Sequence, residues 1–242
     1  MGDNLVMVLV WAIAHLFCGV YWTVSHLCMI YLTWNSSSYA MPLGALYGMF
    51  AWNIFQLVYA RSWLTLIFSV VWACCELVLI FFTNRNLLRP DNPDFPSTAP
   101  CVKRCLIPIS AIYFLLFVAF FLFAIPQLGE VILALAGAGL NVYLSGAFSL
   151  MLLSRGSCRE QSQHVVFWKF GFNIITFLSL RFHQLRYLSI FVIVITFLLD
   201  LTYMWTLHRC YSKSTQSFEL LSAPESPVNT NEQANSGGTS SD

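Results

Sequence analysis

The sequence predicts an all-α protein, an integral membrane bundle of seven transmembrane helices. Of its 242 residues, 58% are hydrophobic and only 10% are charged, whereas about a quarter of the residues in soluble domains carry charge. The apolar stretches are long enough to cross the hydrocarbon core of a bilayer, which takes about 20 helical residues. A formal net charge of +1 gives no indication of a nucleic-acid partner. The chain therefore divides into spans within a lipid bilayer rather than into a soluble core.

The first three predicted spans follow closely on one another. Span one runs from about Val6 to Tyr31, and because no basic segment or cleavage site precedes it, we interpret it as a retained helix rather than a signal peptide. Span two covers about Met41 to Tyr59. Span three covers about Trp63 to Thr83 and carries Glu76 within an otherwise apolar run.

The middle of the chain supplies spans four to six. Residues 84–105 are rich in Pro, Asn and Asp and are predicted to be a connection. Span four is predicted at about Leu106–Ile125, with Pro126 ending it. Span five is predicted at about Glu130–Leu153, where small residues permit close helix packing, and span six at about Val165–Phe182.

The last apolar stretch, Leu188–His208, carries one carboxylate, Asp200, near its middle. An ionised Asp at that depth costs at least ~2.5–3.5 kcal/mol on insertion scales, so a helix with no use for it would carry Leu or Phe. Asp200 either bonds another helix or serves as a proton donor or ion ligand in a cavity. Residues 212–242 are mostly polar and predicted to be a disordered tail, which leaves residues 1–211 as the membrane domain.

Basic residues predict the orientation of the bundle. Eight of them lie in the first, third and fifth loops and the tail, with Lys169 close by at the same end, whereas Arg61, Arg181 and Arg186 lie at the other end. The N-terminus is therefore expected in the lumen and the C-terminus in the cytosol. In that topology the Asn35 sequon faces the cytosol and stays unmodified. The eight basic residues are Arg85, Arg89, Lys103, Arg104, Arg155, Arg159, Arg209 and Lys213.

Glu76 and Asp200 are predicted to lie at nearly the same depth, because their spans run in the same direction. Counting helix rise places both roughly 19 Å below the lumenal boundary, with Asn53 within about two turns of that level. Two neighbouring carboxyls cannot easily both ionise, so we expect at least one to be neutral and able to donate a proton. A purely structural role would not need two acids at one depth.

The composition favours an apolar substrate that becomes cationic. The chain has 21 Phe, 10 Tyr and 8 Trp, and aromatic ring faces stabilise a carbocation without capturing it. No DDxxD, DxDD, Walker, GxGxxG, GxSxG or HExxH motif is present. The main alternative is a seven-span proton-coupled transporter or receptor in which the two acids bind the coupling ion. A third possibility is an inactive membrane scaffold for pathway enzymes.

Several short blocks carry a family resemblance. They are Leu152-Leu153-Ser154-Arg155-Gly156-Ser157, Phe50-Ala51-Trp52, the region of Arg181, and Asp200. By their order and spacing, residues 20 to 210 resemble the small seven-span terpene cyclases of fungal meroterpenoid and indole-diterpene pathways, the paxB family, which includes the paxilline and pyripyropene cyclases. The resemblance implies acid-initiated cyclisation of a prenyl chain, farnesyl in length and commonly epoxidised, on an aromatic or polyketide core.

The resemblance also identifies candidate acids and one departure from the family pattern. One family acid matches Asp200, and the other follows Ala-Trp in span two, where this sequence has Asn53. Glu76 in span three is then the candidate for the missing carboxyl. In this interpretation an acid and an amide have exchanged places between spans two and three. The alternatives are a site that needs only Asp200, or a lost activity.

The predicted catalytic residues are therefore Asp200 and Glu76, and no metal or organic cofactor is expected. The resemblance further implies placement in the endoplasmic reticulum and association with a prenyltransferase and a flavin monooxygenase of the same pathway. The predicted substrate-binding residues are Asn53, Trp52, Arg181, Trp72 and Tyr203.

Overall fold

The all-α prediction is confirmed. A computed structural model describes residues 2–94, 100–129, 131–179 and 186–222, and these form seven α-helices. The helices are α1 (Gly2–Trp34), α2 (Leu43–Val58), α3 (Trp63–Leu88), α4 (Pro100–Leu128), α5 (Val131–Arg155), α6 (Gln163–Ser179) and α7 (Arg186–Ser222).

The helices have the length and hydropathy of a membrane bundle. Five of them, α1, α3, α4, α5 and α7, contain apolar segments of 23 to 27 residues, which suffice to cross a bilayer. Helix α2 is apolar but has 16 residues, and α6 has 17 and contains Lys169. Large apolar side chains such as Phe81, Phe123 and Leu150 are exposed on the outside, as lipid-facing residues are. The protein is thus an integral, multi-pass membrane protein.

Several predicted helix ends differ from the observed ones. Helix α3 continues to Leu88 and α4 begins at Pro100, so parts of both helices lie in the segment 84–105 predicted to be a connection. The prediction that span four ends at Pro126 is wrong, because α4 continues to Leu128. A proline in a membrane helix is tolerated where neighbouring groups satisfy the freed carbonyl. The residue that follows the last residue of α4 is Gly129, whose positive φ of 67° suits glycine. At the other end of the chain, α7 extends to Ser222, into the segment predicted to be a tail. Residues 223–242 of that predicted tail lie outside the described residues.

Six helices form a closed ring, and the seventh lies outside it. Around the ring, each helix packs on its two neighbours in the order α1, α3, α2, α5, α7, α6 and back to α1. Helix α4 packs on the outside of this ring, against α2, α3 and α5. Since α1, α3, α5 and α7 all run in one direction, their C-terminal ends gather at one end of the bundle, here called the loop end.

The loop end is closed by a buried cluster around Arg155. The Arg155 Nη2 atom lies 2.9 Å from Asp94 Oδ2 and donates a second hydrogen bond to the Tyr39 carbonyl, also at 2.9 Å. The guanidinium group also stacks 4.5 Å from the centre of the Tyr39 ring. The Ser38 hydroxyl donates to Asp94, and the Asn86 amide donates to the Ser38 carbonyl at 2.6 Å. Arg155 Nη1 also donates to the Arg159 carbonyl at 3.4 Å, so one side chain binds acceptors from the first, third and fifth loops.

Burial changes the titration of groups around this cluster. It raises the pKa of the Tyr39 hydroxyl, although the charge of Arg155 acts in the opposite direction. It also raises the pKa of the Glu160 carboxyl, against the lowering effect of Arg155 and Arg159. The Arg155 guanidinium is therefore the positive charge that allows acidic groups to be buried at this end.

Substituting Arg155 should lower stability, because Asp94 would remain buried without a cation. The two side chains are only 6% and 9% exposed, and breaking a buried pair typically costs about 3–5 kcal/mol. We expect Arg155→Ala to lower the thermal unfolding temperature of the detergent-solubilised protein. Arg89→Ala is the matched control, since the Arg89–Asp91 pair is 43% and 57% exposed and such surface pairs contribute about 0–1 kcal/mol. Equal losses in both variants would contradict a closing role for Arg155.

Candidate active site

A cavity of about 750 Å³ lies inside the ring of six helices. Its volume falls in the roughly 300–1,000 Å³ range of small-molecule sites. All six ring helices line it, whereas none of the described lining residues comes from α4. The lining residues lie in the half of the bundle away from the loop end, as Trp11 on α1, Gln56 on α2 and Leu188 on α7 show.

Three tryptophans, Trp22, Trp52 and Trp72, form much of the apolar wall. The Trp52 indole N–H donates to the Leu133 carbonyl at 2.8 Å, and its ring lies flat on α5 at Gly137. A Cβ atom at Gly137 would lie 2.7 Å from Trp52 Cζ2, so only glycine allows this approach. The Trp72 indole N–H donates to Thr23 Oγ1 at 3.1 Å. Two of the residues predicted to bind substrate, Trp52 and Trp72, therefore lie on the cavity wall in fixed orientations.

Glu76 lies at the centre of a fully buried cluster that joins α1, α2 and α3. The Asn53 Nδ2 atom is 2.9 Å from both Glu76 carboxyl oxygens. His26 Nε2 is 3.4 Å from Glu76 Oε1. All three side chains are 0% exposed. We call these three residues the Glu76 cluster.

The geometry of His26 fixes where its protons are. Its Nδ1 atom lies 2.9 Å from the Trp22 carbonyl, and because a carbonyl only accepts, Nδ1 must carry a hydrogen. The Nε2 atom therefore faces Glu76 either as an acceptor for a carboxylic acid proton or as the donor of an imidazolium. The Nε2 atom makes no regular hydrogen bond at its distance of 3.4 Å from Glu76 Oε1, but this is the closest approach of His26 to that carboxyl among the contacts of the described residues.

Asp200 lies in a second buried cluster, which joins α5, α6 and α7. Lys169 Nζ is 2.6 Å from Asp200 Oδ1 and donates to Ser145 Oγ, also at 2.6 Å. The Asn173 amide donates to the other Asp200 oxygen, and the Asn141 amide donates in turn to Asn173. We call these five residues the Asp200 cluster. Asn141 and Asn173 also line the cavity, so the cluster connects the Asp200 carboxylate to it.

The two predicted acids therefore belong to different sets of partners. Helices α3 and α7 do not pack against each other in the described part of the chain, and each carboxyl makes its hydrogen bonds within its own cluster. The sequence predicts two neighbouring carboxyls, each of which suppresses the ionisation of the other. The hydrogen bonds instead place the two carboxyls in separate clusters. Each acid instead has its own compensating group, His26 for Glu76 and Lys169 for Asp200.

Sequence reasoning missed both compensating residues. Lys169 is counted with the basic end of span six in the predicted topology, whereas it lies nearly two turns inside α6 and is 3% exposed. A basic residue within an apolar helix usually pairs with an intramembrane acid, and that rule could have linked Lys169 to Asp200. The other missed residue is His26, which lies within predicted span one. Its position gave no signal of contact with Glu76, because depth alone does not tell which helix faces which.

The remaining predicted site residues lie elsewhere. Tyr203 is buried beside the Phe148 ring, at 5.5 Å between ring centres, and its hydroxyl donates to Gln161 near the loop end. It is not among the residues that line the cavity. Arg181 lies outside the described residues. Within the described ranges, no three His, Cys, Asp or Glu side chains come together as a metal site.

Comparison with known proteins gives one match. A family model described as Pyr4-like transmembrane terpene cyclases matches residues 5–213, which include every helix of the ring and both clusters. No curated protein and no solved structure matches the chain significantly.

Removing one member of the Lys169–Asp200 pair should destabilise the protein strongly. Lys169→Met leaves a buried carboxylate and Asp200→Asn leaves a buried ammonium, and each single change is expected to cost about 3–5 kcal/mol. The double variant should recover much of that loss, since neither charge then remains. Unfolding temperatures of the four proteins in detergent form a double-mutant cycle. Additive losses would mean that the two groups do not interact.

Proposed function

The chain belongs to the Pyr4-like transmembrane terpene cyclases, and from this we propose that it closes a farnesyl-length, terminally epoxidised prenyl chain on an aromatic or polyketide core. The observation that supports this proposal is an apolar, tryptophan-walled cavity whose wall connects to two buried carboxyl clusters. Family membership decides against the alternative of a transporter or receptor. The cyclase unit is proposed to occupy residues 1–211.

In this proposal Glu76 is the proton donor. A general acid must hold a proton in the resting state, whereas Asp200 is already paired with a basic side chain, Lys169, at 2.6 Å. Glu76 has no Lys or Arg partner within the described residues. His26 lies 3.4 Å from it, and Asn53 positions both of its oxygens. Asn53 in span two and Glu76 in span three contact each other. This contact is consistent with the interpretation that an acid and an amide have exchanged places between these two spans.

The proposed reaction begins with proton transfer from Glu76 to the epoxide oxygen. The epoxide C–O bond breaks as that proton arrives, which leaves a hydroxyl group and a tertiary cation. The chain's double bonds then attack the cation in turn, each forming one C–C bond and passing the positive charge along. Loss of one proton, or capture by an internal hydroxyl that then loses its proton, ends the cascade. The product has the same mass as the substrate, because the proton gained equals the proton lost.

The Asp200 cluster has a second role in this proposal. Asn173 lines the cavity and donates to Asp200, so a carboxylate lies directly behind the wall. Because Lys169 compensates the charge of Asp200, the pair acts as a fixed dipole. A fixed dipole whose negative end is nearer a developing cation stabilises that cation in a low-dielectric site. The tryptophan faces add cation–π stabilisation from the opposite wall.

The proposed location is the endoplasmic reticulum, with the N-terminus in the lumen. The basic residues predicted to be cytosolic lie around the loop end, which the Arg155 cluster closes. The cavity would then lie in the lumenal half of the bundle. The prenyltransferase and flavin monooxygenase of the pathway are proposed as functional partners that supply the substrate.

Glu76→Gln should lower turnover by roughly 10²–10⁴-fold, the usual contribution of general acid catalysis. The assay incubates microsomes with an epoxyfarnesyl-type meroterpenoid and follows a product of unchanged mass by mass spectrometry. Asp200→Asn should also abolish turnover, whereas Glu160→Gln, which changes a carboxyl at the loop end, should leave it intact. A wild-type rate in Glu76→Gln would remove Glu76 from the mechanism. Failure of several epoxides to react, with normal expression, would favour an inactive scaffold.

Filling the cavity should reduce turnover without affecting folding. Gly139 lines the cavity, and a Cβ atom there would meet nothing within 4 Å. We expect Gly139→Leu to lower kcat/KM for a farnesyl substrate more than for a geranyl one, because less room remains for the longer chain. Gly146→Leu is the control, since Gly146 lies on the same helix in open space but does not line the cavity. The same loss in both variants would show that helix packing, not cavity volume, is responsible.

A further inference from the structure

Three polar atoms on the cavity wall have no hydrogen-bond partner among the described residues, namely His15 Nδ1, the Trp22 indole Nε1 and the Ser69 hydroxyl oxygen. The His15 residue is partly exposed, whereas the Trp22 and Ser69 side chains are about 1% exposed. Two of the other wall tryptophans differ, since Trp52 donates to Leu133 and Trp72 donates to Thr23. Trp22 is therefore a residue of the cavity wall whose indole N–H has no acceptor among the described residues.

The parallel packing of α1 on α3 places the Trp22 and Ser69 groups at one level. Two contacts fix the register there: the Phe68 ring fills the space beside Gly19, and Trp72 donates to Thr23. Trp22 lies between Gly19 and Thr23 on α1, and Ser69 lies between Phe68 and Trp72 on α3. Both therefore face the same stretch of the cavity.

This level lies directly next to the Glu76 cluster. Trp22 is four residues before His26 on α1, which corresponds to about one helical turn or 5–6 Å. The Trp22 ring is held in place, with ring centres 5.1 Å from Phe172 and 4.9 Å from His26. A ligand atom bound here would be about one turn from His26 along α1 and about two turns from Glu76 along α3, because Ser69 precedes Glu76 by seven residues.

The chemistry of the two groups limits what they can bind. An indole N–H only donates, and a buried donor without a partner costs about 1–3 kcal/mol, so the partner has to be an acceptor atom. None of the described lining residues is a Lys, Arg, Asp or Glu, and the one His among them, His15, lies about two helical turns before Trp22 on α1. An anion such as a diphosphate bound beside Trp22 would therefore have no counter-charge next to it. A neutral oxygen on an otherwise apolar molecule fits both conditions.

We propose that Trp22 and Ser69 form an oxygen-binding subsite, which holds a neutral acceptor oxygen of the ligand beside the Glu76 cluster. The oxygen belongs to an epoxide at the end of the prenyl chain or to a carbonyl on the core. The subsite determines which end of the ligand enters first, because an apolar cavity alone would accept a prenyl chain in either direction. The inference rests on the proposed function only in taking the ligand to be a prenylated substrate.

The test compares affinities for pairs of probes that differ by one oxygen. The first pair is epoxyfarnesyl phenyl ether and farnesyl phenyl ether, which differ by the epoxide oxygen. The second is farnesyl ethers of hydroxyacetophenone and of ethylphenol, which differ by a carbonyl. Tritiated probes are measured by equilibrium dialysis against the detergent-solubilised full chain. All proteins carry Glu76→Gln, so that the probes are not consumed.

The variants are Trp22→Phe and Ser69→Ala, with Trp72→Phe as the matched control. Trp72 lines the same cavity, but its N–H is already used by Thr23. We expect the protein with Glu76→Gln alone to prefer the oxygenated member of one pair by roughly three- to tenfold, the effect of one or two neutral hydrogen bonds. Trp22→Phe should bring the affinity ratio of the oxygenated probe to its partner close to one, and Ser69→Ala should lower this ratio. Trp72→Phe should leave the ratio unchanged, even if it changes the affinity for both probes.

The probe pair whose affinity ratio falls in Trp22→Phe shows whether the subsite binds the epoxide oxygen or the carbonyl oxygen. An unchanged ratio in Trp22→Phe, or an equal fall in Trp72→Phe, would overturn the subsite. A ratio near one before either substitution would also overturn it, and would mean that Trp22 and Ser69 bind only water. Because the readout is binding, it is independent of turnover. If no epoxide is cyclised but the ratio still depends on Trp22, the proposed reaction fails while the subsite stands.

Discussion

A charge in the bilayer interior has to be compensated by another helix, and this constraint organises the ring. Lys169 on α6 can be buried because Asp200 on α7 and Ser145 on α5 accept hydrogen bonds from it. Glu76 on α3 can be buried because Asn53 on α2 donates a hydrogen bond to it and His26 on α1 lies 3.4 Å from it. Each polar cluster therefore fastens three helices. The contacts between α1 and α6 and between α2 and α5 join the two halves into a ring around the cavity.

The residues that hold the helices together are also those with proposed catalytic roles. Interhelical hydrogen bonds in membranes are modest stabilisers individually, so a bundle of this size could be held together by packing alone. Here the polar partners are concentrated at the inner end of a cavity whose wall is otherwise apolar. Glu76 is buried between the Asn53 amide and the His26 imidazole, and its carboxyl is shielded from water. The structural and the proposed catalytic roles of these clusters thus have one physical origin.

The number of helices and the depth of their polar residues could be predicted from the sequence, but their rotation about the helix axis could not. Hydropathy located all seven helices, and the misplaced end at Pro126 reflects a proline that the last turn of α4 accommodates. Counting residues placed Glu76 and Asp200 deep in the membrane. It could not show that Glu76 faces α1 and α2 while Asp200 faces α5 and α6, since this depends on the faces that the helices present to one another. His26 and Lys169 were missed for this reason.

The position of α4 has an evolutionary consequence. Every ring helix contributes to the cavity wall, so a substitution on its inner face alters the space in which a product takes shape. Helix α4 lies outside, packed on α2, α3 and α5, and its exposed face carries side chains such as Ile112, Leu116 and Phe123. Adaptation of this helix to a thicker or thinner membrane would leave the cavity unchanged. One chain can therefore adjust to its lipid and diversify its product through separate sets of residues.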